Sequence, residues 1–205
     1  MEKSDIPKNV VVRLPKYLQI LNALVREGEG VISSISLGER LGVTAAQIRK
    51  DLSYFGGFGK QGSGYQIPRL IDEIQKILNV DRIWQIAIVG MGELGQALVN
   101  YHEFARHGLE LVLAFDADPA RFGTPVGTLT IKDIAEMKDE VAKLGIQIGI
   151  LAVSMENAQD VANLMVASGI KAILNYAPVK LVLPKGVYVQ DVDPIQPLQR
   201  MTFYL

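Results

Sequence analysis

The sequence predicts an α/β chain: an N-terminal α+β winged helix-turn-helix domain, then a Rossmann-type doubly wound parallel sheet, then a C-terminal helix. Three observations predict it. The first eighty residues read as short capped helices closed by a glycine-rich segment. From Ile83 the pattern changes to alternating strands and helices. The change is followed at once by IAIVGMGELGQALVNY (86–101), an apolar strand, a G-x-G-x-x-G turn and an apolar helix. Domains are expected at 1–79, 80–190 and 191–205.

Composition narrows the class. The 205 residues are 49% hydrophobic and 21% charged, which suits a folded globular chain. No apolar run is long enough to cross a bilayer, and MEKSDIPKN lacks the apolar centre of a signal peptide. A cytoplasmic protein is expected. Without cysteine there is no thiolate metal site and no thiol switch, and two histidines, His102 and His107, are too few for a histidine-built metal centre. The net charge of −1 conceals a split: residues 1–80 hold eleven Lys/Arg against eight Asp/Glu, and the remainder ten against fourteen. A basic module ahead of an acidic one favours a polyanionic partner for the first.

Pro15 suits a first helical turn, and Leu14, Tyr17, Leu18, Leu21, Leu24 and Val25 recur at helical spacing to about Glu27. In SSISLGERLG, Ser34 or Ser36 is the expected N-cap and Gly42 the stop. Thr44 and Gln47 then open TAAQIRKDLSYF with capping-box spacing, completing a helix-turn-helix. FGGFGKQGSGY, with glycines at 56, 57, 59, 62 and 64, reads as a β-hairpin or wing. An amphipathic helix over 68–78 and a linker over 79–82 follow. Strands are expected at 86–89, 109–115, 146–153, 171–176 and 187–189, and helices near 95–106, 131–144 and 156–168.

With Ile48 facing the core, a step of about 100° per residue puts Ala45, Leu52 and Phe55 beside it. Ala46, Lys50, Ser53 and Tyr54 fall opposite, with Gln47 and Arg49 on the flanks. A recognition helix needs such a face: small residues leave room for bases, Lys and Arg neutralise phosphate, and Gln reads adenine. The alternative is a solvated helix face.

In the glycine loop, Gly90 permits the turn off the strand, Gly92 lets backbone approach a pyrophosphate, and Gly95 lets the helix lie close to the sheet. Glu93 is expected to turn its side chain to solvent and serve a ligand through its backbone. Asp116, 26 residues beyond Gly90, ends the second strand, where a carboxylate accepts from both ribose hydroxyls of NAD and repels a 2′-phosphate. Asp118, beside Pro119, is the expected N-cap of the next turn. Only 115 residues follow Gly90, too few for a second catalytic domain, and neither histidine sits at a strand end. No catalytic residue is assigned.

VTAAQIRKDLSYFGGFGKQGSGY (43–65), IAIVGMGELGQALVNY (86–101), AFDADP (114–119), AQDVANLMVASGIKAILNYAPV (158–179) and DVD (191–193) together resemble the bacterial Rex family of redox-sensing transcriptional repressors. The resemblance covers nearly the whole chain. It implies a homodimer that binds double-stranded operator DNA and releases it when NADH accumulates, with NAD+ competing for the same site. It implies a domain-swapped C-terminal helix. It assigns Gln47, Arg49 and Lys50 to the recognition helix and Lys60, Gly62 and Tyr65 to the wing. It assigns Gly90, Met91, Gly92, Glu93, Leu94 and Gly95 to the pyrophosphate, Asp116 to the adenosine ribose, and Tyr101, Asn175, Tyr176, Ala177 and Pro178 to the nicotinamide end. The sequence departs from the family pattern at Gln19 and Gln61, where arginine is usual, at Ser154, where proline is usual, and at Pro194, where an apolar residue is usual. Pro197 is expected to shorten the terminal helix.

LQRMTFYL is too apolar for a chain end in water, so residues 191–205 are expected either to be covered by a partner subunit or to dock onto their own domain. Two other functions stay open. One is a small NAD-dependent oxidoreductase. The other is a winged-helix regulator responding to a different nucleotide such as coenzyme A.

Overall fold

In the computed structural model, residues 6–56 and 64–205 are described. The chain divides into two compact units, Met1–Arg82 and Ile83–Leu205.

The first unit runs α1 (Lys8–Arg26), β1 (Val31–Ile32), α2 (Ser34–Leu41), α3 (Ala45–Ser53), β2 (Tyr65–Gln66) and α4 (Ile67–Leu78). Helix α1 begins seven residues before Pro15, so the expected start there is wrong; Pro7 is the N-cap and Pro15 lies inside the helix on an exposed face. Burial decides it: Val10, Leu14, Tyr17, Leu21 and Leu24 form one stripe at helical spacing, and that stripe outweighs one missing N–H. The cap of α2 is Ser33, whose hydroxyl accepts from the Ser36 N–H at 3.0 Å, and not Ser34 or Ser36. Gly42 ends α2 in the left-handed region, φ 69°, as expected. Helix α1 packs on α4, and α2 on α3. Their shared core holds Leu14, Tyr17, Leu21, Leu37, Ile48, Leu52, Ile67, Leu70 and Ile74. Strand β2 pairs antiparallel with β1, a strand to which the sequence reading assigned no element.

In the second unit seven strands form one sheet in the order β5-β6-β4-β3-β7-β8-β9. They are β3 (Trp84–Val89), β4 (Leu109–Asp116), β5 (Pro125–Val126), β6 (Leu129–Asp133), β7 (Ile148–Leu151), β8 (Ala172–Asn175) and β9 (Tyr188–Asp191). All neighbours are parallel except β5 with β6. The helices are α5 (Glu93–Val99), α6 (Glu103–Arg106), α7 (Met137–Leu144), α8 (Met155–Ala167) and α9 (Ile195–Thr202).

Alternation along β3 divides the core. Ala87 and Val89 pack with Met137 and Val141 of α7 and Ala158, Ala162 and Met165 of α8. Ile86 and Ile88 pack on the other face with Leu98 of α5. Two expected helices need correction. The stretch 95–106 is split into α5 and α6, because the Asn100 side chain donates to the Gln96 carbonyl at 2.9 Å and closes the first helix. The stretch 131–144 begins as strand: Ile131, Lys132 and Asp133 pair with Ala114, Phe115 and Asp116, and the helix starts only at Met137.

Candidate functional site

Strand β3 has β4 on one side and β7 on the other, so the connections reverse direction there and leave a crevice at the carboxyl ends of the strands. A cleft of about 360 Å³ lies at that place. Gly90 and Gly92 line it after β3, Asp116, Ala117, Asp118 and Arg121 after β4, and Ala152, Val153 and Ser154 after β7. Ile134 and, from α8, Asn157, Asp160 and Val161 complete the wall.

The three loop glycines meet three different environments. Gly90 has φ 95°, and a Cβ there would stand 2.4 Å from the Ala152 carbonyl oxygen. A Cβ on Gly95 would stand 1.9 Å from the Gly90 carbonyl oxygen, which is impossible without moving backbone. Around Gly92 a Cβ would meet nothing within 4 Å, so the backbone there faces the open cleft. Two glycines thus make the turn and the third presents bare backbone to the cleft, ahead of the first N–H groups of α5. Glu93 and Leu94 are exposed. The Met91 side chain is fully buried, and its carbonyl accepts from Gln96 and from the Arg121 guanidinium.

Asp116 is fixed by backbone. Its carboxylate accepts from the Met91 N–H at 2.7 Å and from the Asp118 N–H at 2.8 Å, so it ties the glycine loop to the end of β4. Each oxygen can accept beyond these bonds, and Oδ2 lies 3.9 Å from Arg121 Nε. Asp118 caps the turn at Pro119–Arg121, accepting from the Ala120 N–H at 3.0 Å. It also accepts from Arg121 Nε at 3.3 Å, which keeps a cation at this end of the cleft.

Tyr101, Asn175, Tyr176, Ala177 and Pro178 do not line this cleft. Tyr101 is exposed and its ring meets Phe104 edge-on at 5.4 Å. Burial and the nearby Tyr101 push the Tyr176 hydroxyl up. Asn175 is fully buried: its Nδ2 donates to the Val179 carbonyl at 2.9 Å and Asp191 Oδ1 at 2.8 Å, while its Oδ1 accepts from the Ala177 N–H. It organises the loop after β8. The sequence reading missed Arg121, Ser154, Asn157 and Asp160; their signal lay in the topology, which brings the ends of β4 and β7 beside β3.

In the first unit, Thr44 caps α3 by accepting from the Gln47 N–H at 3.1 Å. Ala46, Arg49, Lys50 and Ser53 are exposed, Tyr54 and Tyr65 half-buried, and Ile48 and Leu52 face the core. Arg49 donates to the Ser34 hydroxyl at 3.0 Å, linking α3 to α2. Burial raises the Tyr65 hydroxyl, against the nearby Arg49 charge. Lys60, Gln61 and Gly62 lie outside the described residues.

Sequence reasoning overlooked Asp51, a fully buried carboxylate. It accepts from Arg13 Nε at 2.6 Å and Nη2 at 2.7 Å, from the Tyr17 hydroxyl at 2.5 Å and from Gln47 Nε2 at 2.6 Å. Burial alone would raise its pKa; the bonds from Arg13, Tyr17 and Gln47 outweigh this and hold it below the ordinary value. Gln47 therefore reaches forward to Asp51 rather than back to Thr44 as a full capping box requires.

Among the described residues no helix is long and apolar enough to cross a membrane, and no cluster of three His, Asp or Glu is placed to hold a metal ion.

Residues 5–53 match a family described as putative DNA-binding protein N-terminus, and residues 81–179 one described as CoA binding domain. A redox-sensing transcriptional repressor Rex of Chloroflexus aurantiacus is 50% identical over 206 aligned positions, covering 100% of this chain and 97% of the relative. A Rex-family repressor, RSP, solved in complex with NAD+ and operator DNA, is 39% identical with a TM-score of 0.92, over 97% of this chain and 92% of that one. The same repressor in complex with NADH gives 37% identity and a TM-score of 0.89, over 97% and 93%. Matched from end to end at this level of identity, and with a capped helix-turn-helix and a cleft at the carboxyl ends of the parallel strands, the chain belongs to the Rex family of redox-sensing transcriptional repressors.

Proposed function

We propose that the chain represses transcription by occupying operator DNA when NADH is scarce and leaves the operator when NADH fills the cleft at the ends of β3, β4 and β7. The observation that carries this reading is Asp116. It stands inside the cleft, held by two backbone N–H groups, with acceptor capacity for ribose hydroxyls and a negative charge against a 2′-phosphate. Gly90, Gly92 and Gly95 supply the pyrophosphate turn; α3 supplies the DNA-reading face through Ala46, Gln47, Arg49, Lys50, Ser53 and Tyr54.

A ligand shifts a conformational equilibrium only by its difference in affinity for the two states. NADH carries a neutral, puckered ring and NAD+ a positive planar one, and that difference is what the site has to distinguish. The chain acts as a receptor for the nucleotide, without turnover. It works in the cytoplasm as a homodimer, with residues 191–205 as the dimerisation arm. On α9 and the tail, Ile195, Leu198, Met201, Phe203, Tyr204 and Leu205 are all exposed, an apolar surface that a second copy would cover.

Fluorescence anisotropy of a palindromic operator selected with the full chain tests the switch. NADH is expected to release the DNA at concentrations where NAD+ does not; equal effects of the two would overturn it. The match of 81–179 to a CoA-binding family favours coenzyme A as a second reading. A thermal-shift panel of NADH, NAD+, NADPH and coenzyme A separates them, because Asp116 admits a free ribose and opposes a phosphorylated one.

A further inference from the structure

The buried carboxylate of Asp51 touches a residue of the DNA-reading helix, and its chemistry constrains what that residue presents. An ionised carboxylate only accepts hydrogen bonds. The Gln47 amide must therefore face Asp51 with its nitrogen, as the 2.6 Å bond from Nε2 to Oδ1 records. The reversed amide would set Oε1 against a carboxylate oxygen at the same distance, two acceptors with no proton between them. Asp51 in turn has no freedom to turn away. Arg13 grips both of its oxygens, and the Tyr17 hydroxyl takes a second place on Oδ2. Arg13 and Tyr17 belong to α1, whose inner face is the core of the unit.

Gln47 is the third residue of α3, after the Thr44 cap. The first turn of a recognition helix is the part that reaches base edges in the major groove. There the four bases differ in what they offer. Adenine and cytosine present an exocyclic amine donor, while guanine presents the acceptors N7 and O6 and thymine presents O4 and a methyl group.

We propose that Asp51 is a specificity-setting positioning residue for operator recognition: by holding the Gln47 nitrogen it presents Oε1 as the outward group, so that one position in each half-site must be adenine or cytosine. The inference rests on the proposed DNA-binding role of α3. Asp51 meets no base itself. Guanine is disfavoured at this position because its N7 and O6 are both acceptors: the second Nε2 proton can meet one of them, but the outward Oε1 then faces the other, and relieving that needs the amide flip that Asp51 forbids.

Selection of full-length wild-type protein on a random duplex library, without NADH, reads base preference position by position. Wild type is expected to select adenine or cytosine over guanine by roughly tenfold at one position of each half-site. Gln47→Ala is expected to abolish that preference and leave the other positions intact. Asp51→Asn removes the fixed acceptor, so guanine is expected to rise at the same position and nowhere else, with NADH affinity unchanged. Uniform weakening at all positions by a folded Asp51→Asn variant would overturn the proposal. Guanine or thymine at the position lost in Gln47→Ala, or no lost position, would do so too. If Asp51→Asn does not fold, Gln47→Ala and the wild-type base identity decide alone. A wild-type chain that selects no duplex while still binding NADH would instead defeat the underlying reading of α3.

Discussion

Asp51 gathers four hydrogen bonds onto one buried carboxylate, and it joins Arg13 and Tyr17 of α1 to Gln47 of α3. Removing one partner of a buried ion pair leaves the other without its counter-charge, so Asp51→Ala is expected to destabilise the first unit by about 3 kcal/mol. Acid has the same effect for the same reason. The folded-state pKa of Asp51 is depressed, so its stabilisation is complete above the ordinary carboxylate value of about 4 and disappears as pH falls through the folded value. Chemical denaturation of the first unit across that range checks both, since wild type and Asp51→Ala should converge at low pH. In the second unit Gly95 carries the sharpest steric constraint. Gly95→Ala drives a methyl into the Gly90 carbonyl, and both groups are backbone. An NADH titration is expected to show affinity lowered about 10- to 100-fold.

At the scale of the elements, α1 contains its own weakness. Pro15 cannot donate to the Val11 carbonyl, and an interior proline costs a helix about 3 kcal/mol relative to alanine. Because Pro15 is exposed, Pro15→Ala is expected to raise the stability of the first unit by about 2 kcal/mol after the loss of proline's restraint on the unfolded chain. A denaturant midpoint measures it. The same residue shows why the helix was only partly legible in the sequence. Proline marks a helix start by local rule, whereas the Val10–Leu24 stripe that overrides the rule is tertiary. Thr44 and Gly42 were readable because each is satisfied by neighbours within a few residues, and the glycine loop because the spacing of its glycines between a strand and a helix is itself a local pattern. Strand β6 was misread as helix because its place is set by pairing with β4, which no local pattern records. Arg121 and Asp160 escaped for a related reason: they share a wall of the cleft while lying 39 positions apart in sequence. Asp51 was hidden because a single acid within RKD reads as surface until its three donors are known.

For the whole molecule, the proposed dimer rests on the terminal arm. Six large apolar side chains of α9 and the tail are exposed. Pro197 lies in the first turn of α9, where its missing N–H is harmless, and the helix runs through it from Ile195 to Thr202. Deleting residues 194–205 is expected to give a monomer by sedimentation, with NADH binding retained and operator affinity lost. Paired half-sites need two recognition helices at a fixed separation.

The buried side chain of Asn175 holds both the loop after β8 and Asp191 at the end of β9, and the backbone carbonyl of Asn175 accepts from the Val192 N–H at 2.8 Å. The outermost parallel strand of a sheet ordinarily frays first; here one residue rivets that edge as far as residue 192. A protease acting at concentrations where the proposed dimer has dissociated should therefore find no yielding bond in β9 and should clip the released arm beyond Asp193, leaving a trimmed and otherwise intact sheet. Asn175→Ala is expected to shift the earliest cuts upstream into residues 180–191, which mass spectrometry of the fragments would reveal.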